Sequence, residues 1–127
     1  MGTLAVGERN KMLDAYTGRT TYTLQAGFYV KLHIGATTTG AENVAANTTR
    51  VAATFGSAAA SGAISNTAIV EWTSVPNTET YTDVSFWTTV GPAGGTFLGE
   101  DTLSSSAAMT AGDTFRIPIG DLDLTIT

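Results

Sequence analysis

Apolar and polar residues alternate in short segments along most of this sequence. The clearest segment is FYVKLHI, which would place four apolar residues on one face of a strand: Phe28, Val30, Leu32 and Ile34. The segments DTFRIPI and DLDLTIT near the end of the chain alternate in the same way. A period of two is typical of strands with one buried face, whereas a helix would need a period near 3.6. This alternation constrains the fold more than any single motif.

Turn residues separate the alternating segments. Pro76 and Asn77 follow the segment NTAIVEWTSV, and the GPAGG stretch (91–95) is typical of a hairpin loop between two strands. Pro118 indicates that the DTFRIPI strand lies at an edge or ends early. About seven to eight strands at this spacing predict an all-β fold, namely an antiparallel β-sandwich of the jelly-roll or immunoglobulin-like kind.

One short helix is predicted at the start of the chain, within residues 1–18. In LAVGERNKMLDAYTG a loose apolar stripe is formed by Ala5, Met12, Leu13 and Tyr16, while Glu8, Lys11 and Asp14 are predicted to face water. Gly18 is placed to end the helix in a left-handed conformation. With strands from 26 to 127, the whole chain, 1–127, is predicted to form a single domain.

The alternation also predicts which residues form the core. The expected inward positions are Phe28, Val30, Leu32, Ile34, Ile69, Val84, Phe86, Phe97, Phe115, Ile117, Leu122 and Leu124. The only histidine, His33, would fall on the opposite face beside Lys31, and we interpret it as a solvated strand residue.

Composition and charge exclude several classes of function. The formal net charge is −5 and no basic cluster exists, which argues against nucleic acid as a partner. Cysteine is absent, so disulfides, thiolate nucleophiles and cysteine-based zinc sites are excluded. The longest weakly polar run, VAATFGSAAASGAI, is too short and too polar to span a bilayer, and no membrane partner is expected.

The sequence does not predict an enzyme. It has one histidine, no cysteine and neither a G-x-S-x-G nor an H-E-x-x-H motif, so no catalytic residue and no cofactor are expected. Three acids near the end of the chain, Asp113, Asp121 and Asp123, are alternatives for a Ca²⁺ site, but they lack the dense spacing of a calcium loop, and no metal site is predicted. Four aromatic residues are candidates for a sugar-binding platform, although packing is the more usual role of aromatics in strands: Tyr29, Trp72, Tyr81 and Trp87.

The longest irregular stretch, GATTTGAENVAANTT (35–49), is the candidate docking element. A loop of this length in a compact domain is typically functional or disordered, and this one is small-sided and nearly neutral. The residues predicted to meet a protein partner are Thr37, Thr38, Thr39, Gly40, Glu42 and Asn43. The alternative is a floppy surface loop, in which case the helix around Met12 and Tyr16 becomes the better candidate.

A family resemblance covers nearly the whole chain. Its motifs occur in the order MLDAYTGRTTYT, FYVKLHIGATTTGAENV, TTRVAATFGSAAASGAISNTAIVEWTSVP, TDVSFWTTVGPAGGTFLGEDTL and AGDTFRIPIGDLDLTIT. The sequence resembles a family of small virion structural proteins of actinobacteriophages, labelled tail fibre, minor tail or minor capsid proteins. The C-terminal motif is the most specific part of the match.

The resemblance implies a structural role in a phage particle. The expected function is that of a minor capsid or decoration protein, which binds the major capsid protein lattice and stabilises it by binding only the assembled shell. The alternative is a tail fibre or minor tail protein, with tail proteins as partners and a role in binding host glycans. A homodimer or homotrimer is expected. The location implied is the virion, assembled in the cytoplasm of the bacterial host.

Overall fold

The computed structural model describes residues 2–23, 27–57 and 62–125. A first strand, β1 (Gly2–Leu4), precedes the helix α1 (Val6–Tyr16). Eight strands follow: β2 (Tyr29–His33), β3 (Val51–Ala52), β4 (Ala63–Ser65), β5 (Val70–Trp72), β6 (Glu79–Trp87), β7 (Phe97–Met109), β8 (Phe115–Ile117) and β9 (Asp123–Thr125). The prediction of an all-β fold with a short N-terminal helix is confirmed. The predicted turn GSAAASG lies largely outside the described residues.

The strands form two sheets. Seven of them make one mixed sheet in the order β3-β2-β6-β7-β1-β9-β4, and β5 pairs with β8 in a small second sheet. Every named pair is antiparallel except β1 with β9, which is parallel. Aromatic rings join the two sheets, since Phe115 of β8 lies 5.3 Å from Tyr81 of β6, measured between ring centroids. Within the small sheet, Phe115 stacks on Trp72 of β5 at 5.6 Å. The arrangement is compatible with the predicted sandwich.

Most of the predicted core residues are buried. Val30, Leu32, Val84, Phe86, Phe115, Ile117, Leu122 and Leu124 belong to one core cluster, while Phe28 and Phe97 are half-buried. Two predictions are wrong: Ile34 is 49% exposed and Ile69 is 55% exposed. Each lies one residue outside a strand, because β2 ends at His33 and β5 begins at Val70. Val70 takes the inward position that was predicted for Ile69.

The face of β2 and β6 opposite Phe86 is buried as well. Lys31, His33 and Ser85 are all covered, and the prediction that His33 is solvated is therefore wrong. The cover is the stretch of residues 35–49, called here the covering loop, which returns over this face and makes an isolated bridge from Val44 to His33. Because alternation reports only the two sides of a strand, it did not reveal that both sides are covered.

Helix α1 leaves half of its predicted apolar stripe exposed. Leu13 is 62% exposed and Tyr16 is 92% exposed, whereas Glu8, predicted to face water, is buried. Glu8 accepts a hydrogen bond from Lys11 (2.7 Å) and one from the Tyr22 hydroxyl (3.1 Å), so burial of its carboxylate is compensated. The left-handed conformation predicted for Gly18 is confirmed by its φ of 78°. No helix in the part of the chain that the structure describes is long and apolar enough to cross a membrane.

Candidate functional site

The covering loop is organised around the carboxylate of Glu42. This group accepts hydrogen bonds from the hydroxyls of Thr37 (2.6 Å), Thr38 (3.0 Å) and Thr39 (3.0 Å). It also accepts the backbone N–H groups of Thr38 (3.2 Å) and Thr39 (3.1 Å). The Thr37 hydroxyl, followed by the Thr39 N–H, holds the pKa of Glu42 well below its usual range. The run of three threonines is therefore tied to one acid within the loop.

The six residues predicted to dock a partner do not share one side of the loop. Thr37 and Gly40 are buried, and the Gly40 N–H donates to the Thr37 hydroxyl (2.8 Å). A Cβ on Gly40 would lie 2.5 Å from the Trp87 ring, so this part of the loop faces the sheet. Thr38, Thr39, Glu42 and Asn43 are exposed and remain the candidates for contact with a partner.

A serine–histidine pair lies beneath the loop, and sequence reasoning did not find it. His33 Nδ1 lies 2.8 Å from the Glu42 carbonyl oxygen, and His33 Nε2 lies 2.7 Å from the Ser85 hydroxyl. Because a carbonyl only accepts, Nδ1 carries the proton, and Nε2 of the neutral ring accepts from Ser85. Ser85 in turn accepts the indole N–H of Trp87 (2.8 Å). Burial is the main cause that lowers the pKa of His33, which favours this neutral form.

The pair resembles a nucleophile and its base only in composition. His33 and Ser85 are each completely buried, so a substrate has no access to the serine hydroxyl. Asp83 lies directly across from His33 in the ladder, but its carboxylate accepts hydrogen bonds from Thr82 (2.6 Å) and Thr102 (2.9 Å). The chain of donors and acceptors joins β2, β6 and the covering loop, which is a structural task.

A second cluster on the same face contains two cations and an indole. The Arg50 guanidinium lies 4.3 Å from the centroid of the Trp87 ring, and Lys31 Nζ lies 5.6 Å from it. Arg50 Nη1 donates to the Thr89 carbonyl (3.1 Å) and to the Gly94 carbonyl (3.0 Å), which fixes it against the β6–β7 hairpin. Burial lowers the pKa of both Lys31 and Arg50. The cluster forms because strand pairing brings distant segments of the chain together, and no local motif in the sequence predicts it.

The proposed sugar platform of four aromatics does not exist as a surface. Trp72 and Tyr81 are buried, and the Trp72 indole N–H donates to the Thr49 carbonyl (2.9 Å). Tyr29 and Trp87 are half-buried.

The acids once considered for Ca²⁺ serve separate turns and strands. Asp113 accepts the Thr110 N–H (2.9 Å), and Asp123 accepts the Ser65 hydroxyl. Asp121 lies 3.5 Å from the Ser104 hydroxyl. Within residues 2–23, 27–57 and 62–125, no group of three or more His, Cys, Asp or Glu side chains is arranged to hold a metal ion.

Comparison with known families decides the relationship of the chain. A family model described as "Podophage GP4 fiber I protein gp80" matches residues 5–125. The chain belongs to this family. It is therefore a phage structural protein of the fibre type, and the resemblance predicted from its motifs is confirmed. No curated protein matches the chain.

Membership in the gp80 fibre family also ranks the two predicted roles. It supports association with the virion and favours the tail-fibre alternative over the capsid decoration role that was our first expectation.

Proposed function

We propose that this protein is a structural component of the phage tail fibre, with other tail proteins or further copies of itself as partners. The observation that carries the proposal is the match of a fibre family along residues 5–125, nearly the whole sequence. The two covered faces of β2 and β6 support a rigid building block, because side chains on both sides of these strands are packed. The protein acts without catalysis, cofactor or metal, as a dimer or trimer assembled in the host cytoplasm.

Location and copy number test this proposal. Gold-labelled antibody against this protein should mark the tail of purified particles in electron micrographs, while antibody against the major capsid protein marks the head. The ratio of the two bands should correspond to a few copies per tail. Labelling distributed over the head, with a band comparable to that of the capsid protein, would restore the decoration role.

The exposed side of the covering loop is proposed as the contact with a tail partner. Ala41 is exposed between the bonded threonines and Glu42, and its side chain is not part of their network. Ala41→Arg therefore adds bulk and charge to the outer surface without disturbing the sheet. We expect this variant to fold normally but to be lost from particles during mild washing. Retention equal to wild type would transfer the docking role to α1, which Leu13→Arg would then test.

Contact with a host glycan is a second candidate role. It is favoured by the half-buried Trp87 indole beside Lys31 and Arg50, since a sugar ring and its polar substituents require both kinds of surface.

A further inference from the structure

Lys31 and Arg50 are two cations without an acidic partner in the described residues. Acids outnumber Lys and Arg by 11 to 6 in this chain, so carboxylates are plentiful. Three other cations form ion pairs, namely Lys11 with Glu8, Arg19 with Asp14 and Arg116 with Glu71. Lys31 is only 8% exposed and Arg50 only 4% exposed, and a buried charge without a counter-ion is unfavourable. Lys31 and Arg50 thus differ from these three cations.

Arg50 keeps part of its hydrogen-bonding capacity unused. Its Nη1 is bound to the Thr89 hydroxyl (3.1 Å) as well as to the two hairpin carbonyls, so the side chain is fixed in position. Its Nε is buried and has no hydrogen-bond partner among the described residues. Because Nε is buried and Nη1 is bound to the hairpin, an oxygen anion would be received by the remaining nitrogen of this rigid guanidinium, Nη2.

Lys31 approaches the same indole from β2. In the ladder between β2 and β6, Lys31 pairs with Ser85, and Ser85 lies two residues before Trp87 on β6. Burial is the main cause that lowers the pKa of Lys31, and the charge of Arg50 lowers it further, so the two cations repel each other. An anion between them would relieve that repulsion and replace the water lost on burial.

We propose that Lys31 and Arg50 form a binding site for the carboxylate of an acidic saccharide, with the exposed part of the Trp87 indole against the sugar ring. Carboxylate is favoured as the anion because a guanidinium and an ammonium both donate to it directly. A sugar is favoured as its carrier because the indole provides a flat apolar surface next to the charges. The inference deepens the glycan-binding candidate and rests on the fibre assignment for its biological meaning.

Titration of the purified full chain with trigalacturonic acid tests the site. The indole N–H resonance of Trp87 should shift, whereas that of Trp72, which is buried on the other sheet, should not. Lys31→Met should weaken binding at least about tenfold, and Arg50→Lys, which keeps the charge but loses the planar donors, should also weaken it. Arg116→Met removes the same charge from an ion pair on β8 and should leave affinity within about twofold of wild type.

Three results would overturn the assignment. One is the absence of a Trp87 shift with trigalacturonic acid, and another is an equal loss of affinity in Arg116→Met, which would indicate attraction by overall charge. The third is equal binding of inorganic sulfate or of a neutral trisaccharide, which would remove the acidic sugar from the proposal. Thermal melting of each variant verifies that it is folded. Antibody labelling of the tail is independent of all these measurements, so a failed titration leaves the fibre assignment intact.

Discussion

Asn66 and Leu122 exchange a pair of hydrogen bonds that joins two distant parts of the chain. The Asn66 N–H donates to the Leu122 carbonyl (3.1 Å), and the Leu122 N–H donates to Asn66 Oδ1 (3.0 Å). The buried amide also accepts the Gly120 N–H (3.0 Å) and donates to the carbonyls of Ala68 and Pro118 (both 2.9 Å). The segments NTAIVEWTSV and AGDTFRIPIGDLDLTIT thus meet at one side chain.

Replacing Asn66 by alanine should be strongly destabilising. Asn66→Ala leaves the Leu122 and Gly120 donors and two carbonyls without the amide, and we expect a loss of about 3 kcal/mol in the free energy of unfolding. Denaturant titration measures it. Asn77→Ala, in an exposed turn, should change stability by no more than about 0.5 kcal/mol. Equal values for the two variants would show that the network does not stabilise the fold.

Two apolar residues predicted for the same core should behave differently. Phe86 is fully buried and packs against Phe28 at 5.0 Å between ring centroids, so Phe86→Ala should cost about 3–5 kcal/mol. Ile34 is half exposed, so Ile34→Ala should cost less than about 1 kcal/mol. Chemical denaturation of both variants measures the contrast. A large loss at Ile34 would mean that β2 continues beyond His33.

The folded protein should become less stable as the pH falls, because His33 is buried in its neutral form. Burial is the main effect on the pKa of this residue, and it lowers the pKa below its ordinary 6.5. The charge of Lys31 lowers it further, whereas the Glu42 carbonyl and the charge of Asp83 raise it. The unfolded chain therefore binds a proton more readily than the folded one. The contribution of His33 is complete above pH 6.5 and is lost as the pH falls below that value, with a slope of at most about 1.4 kcal/mol per pH unit.

The variant His33→Gln isolates this effect, because the chain has a single histidine. Unfolding free energies of wild type and variant, measured between pH 8 and pH 5, should converge as the pH falls. Parallel curves for the two proteins would show that His33 titrates normally in the fold.

Strand sides were predictable from the sequence, and their surroundings were not. Alternation correctly gave the inward positions Val30, Leu32, Val84 and Phe86, since it depends on backbone geometry alone. It failed for His33, because the cover over that side comes from a loop whose path depends on distant contacts. It failed for Ile34 and Ile69 because strand ends are set by the partner strand.

Loss of the Glu42 charge should loosen the covering loop. Glu42→Gln removes the negative charge that strengthens the bonds from the Thr38 and Thr39 N–H groups, which share Oε2. It also puts an NH2 donor where Oε1 accepts from the Thr38 hydroxyl. We expect amide hydrogen exchange at these two threonines to become about tenfold faster or more, while exchange in the strands is unchanged. Glu71→Gln, at an exposed ion pair on β5, is the matched control. Unchanged exchange would show that the loop is ordered by its contact with Trp87 instead.

Removal of the Lys31 charge should stabilise the fold. Lys31→Met keeps the length of the side chain and removes a buried cation that has no acidic partner in the described residues, so we expect an increase of about 1 kcal/mol in the free energy of unfolding. Lys11→Met should have the opposite sign, because it deprives the buried Glu8 of its cation. Denaturant titration of both variants gives the comparison. A loss of stability in Lys31→Met would mean that attraction to the Trp87 ring outweighs the burial of charge.

The candidate site was only partly predictable from the sequence, because it depends on contacts between distant parts of the chain. The sequence singled out the loop because its length and composition are local properties, and it named Trp87 among four aromatic candidates. The cations beside Trp87 come from β2 and from the residue before β3, and only the pairing of three strands brings them together. Because the pairing register of strands depends on tertiary contacts, this cluster could be recognised only in the structure.

Strand β1 pairs only with strands that lie far from it in the sequence. β1 lies between β7 and β9, where Thr3 pairs with Glu100 on one side and with Thr125 on the other. A Cβ on Gly2 would lie 2.5 Å from the Asp123 carbonyl oxygen and 2.6 Å from that of Glu100, so the slot is narrow. Both neighbours are made about a hundred residues after β1, and closing loops of that length is slow. β1 can therefore take its place in the large sheet only when β7 and β9 are both available, and we expect its pairing to form late in folding.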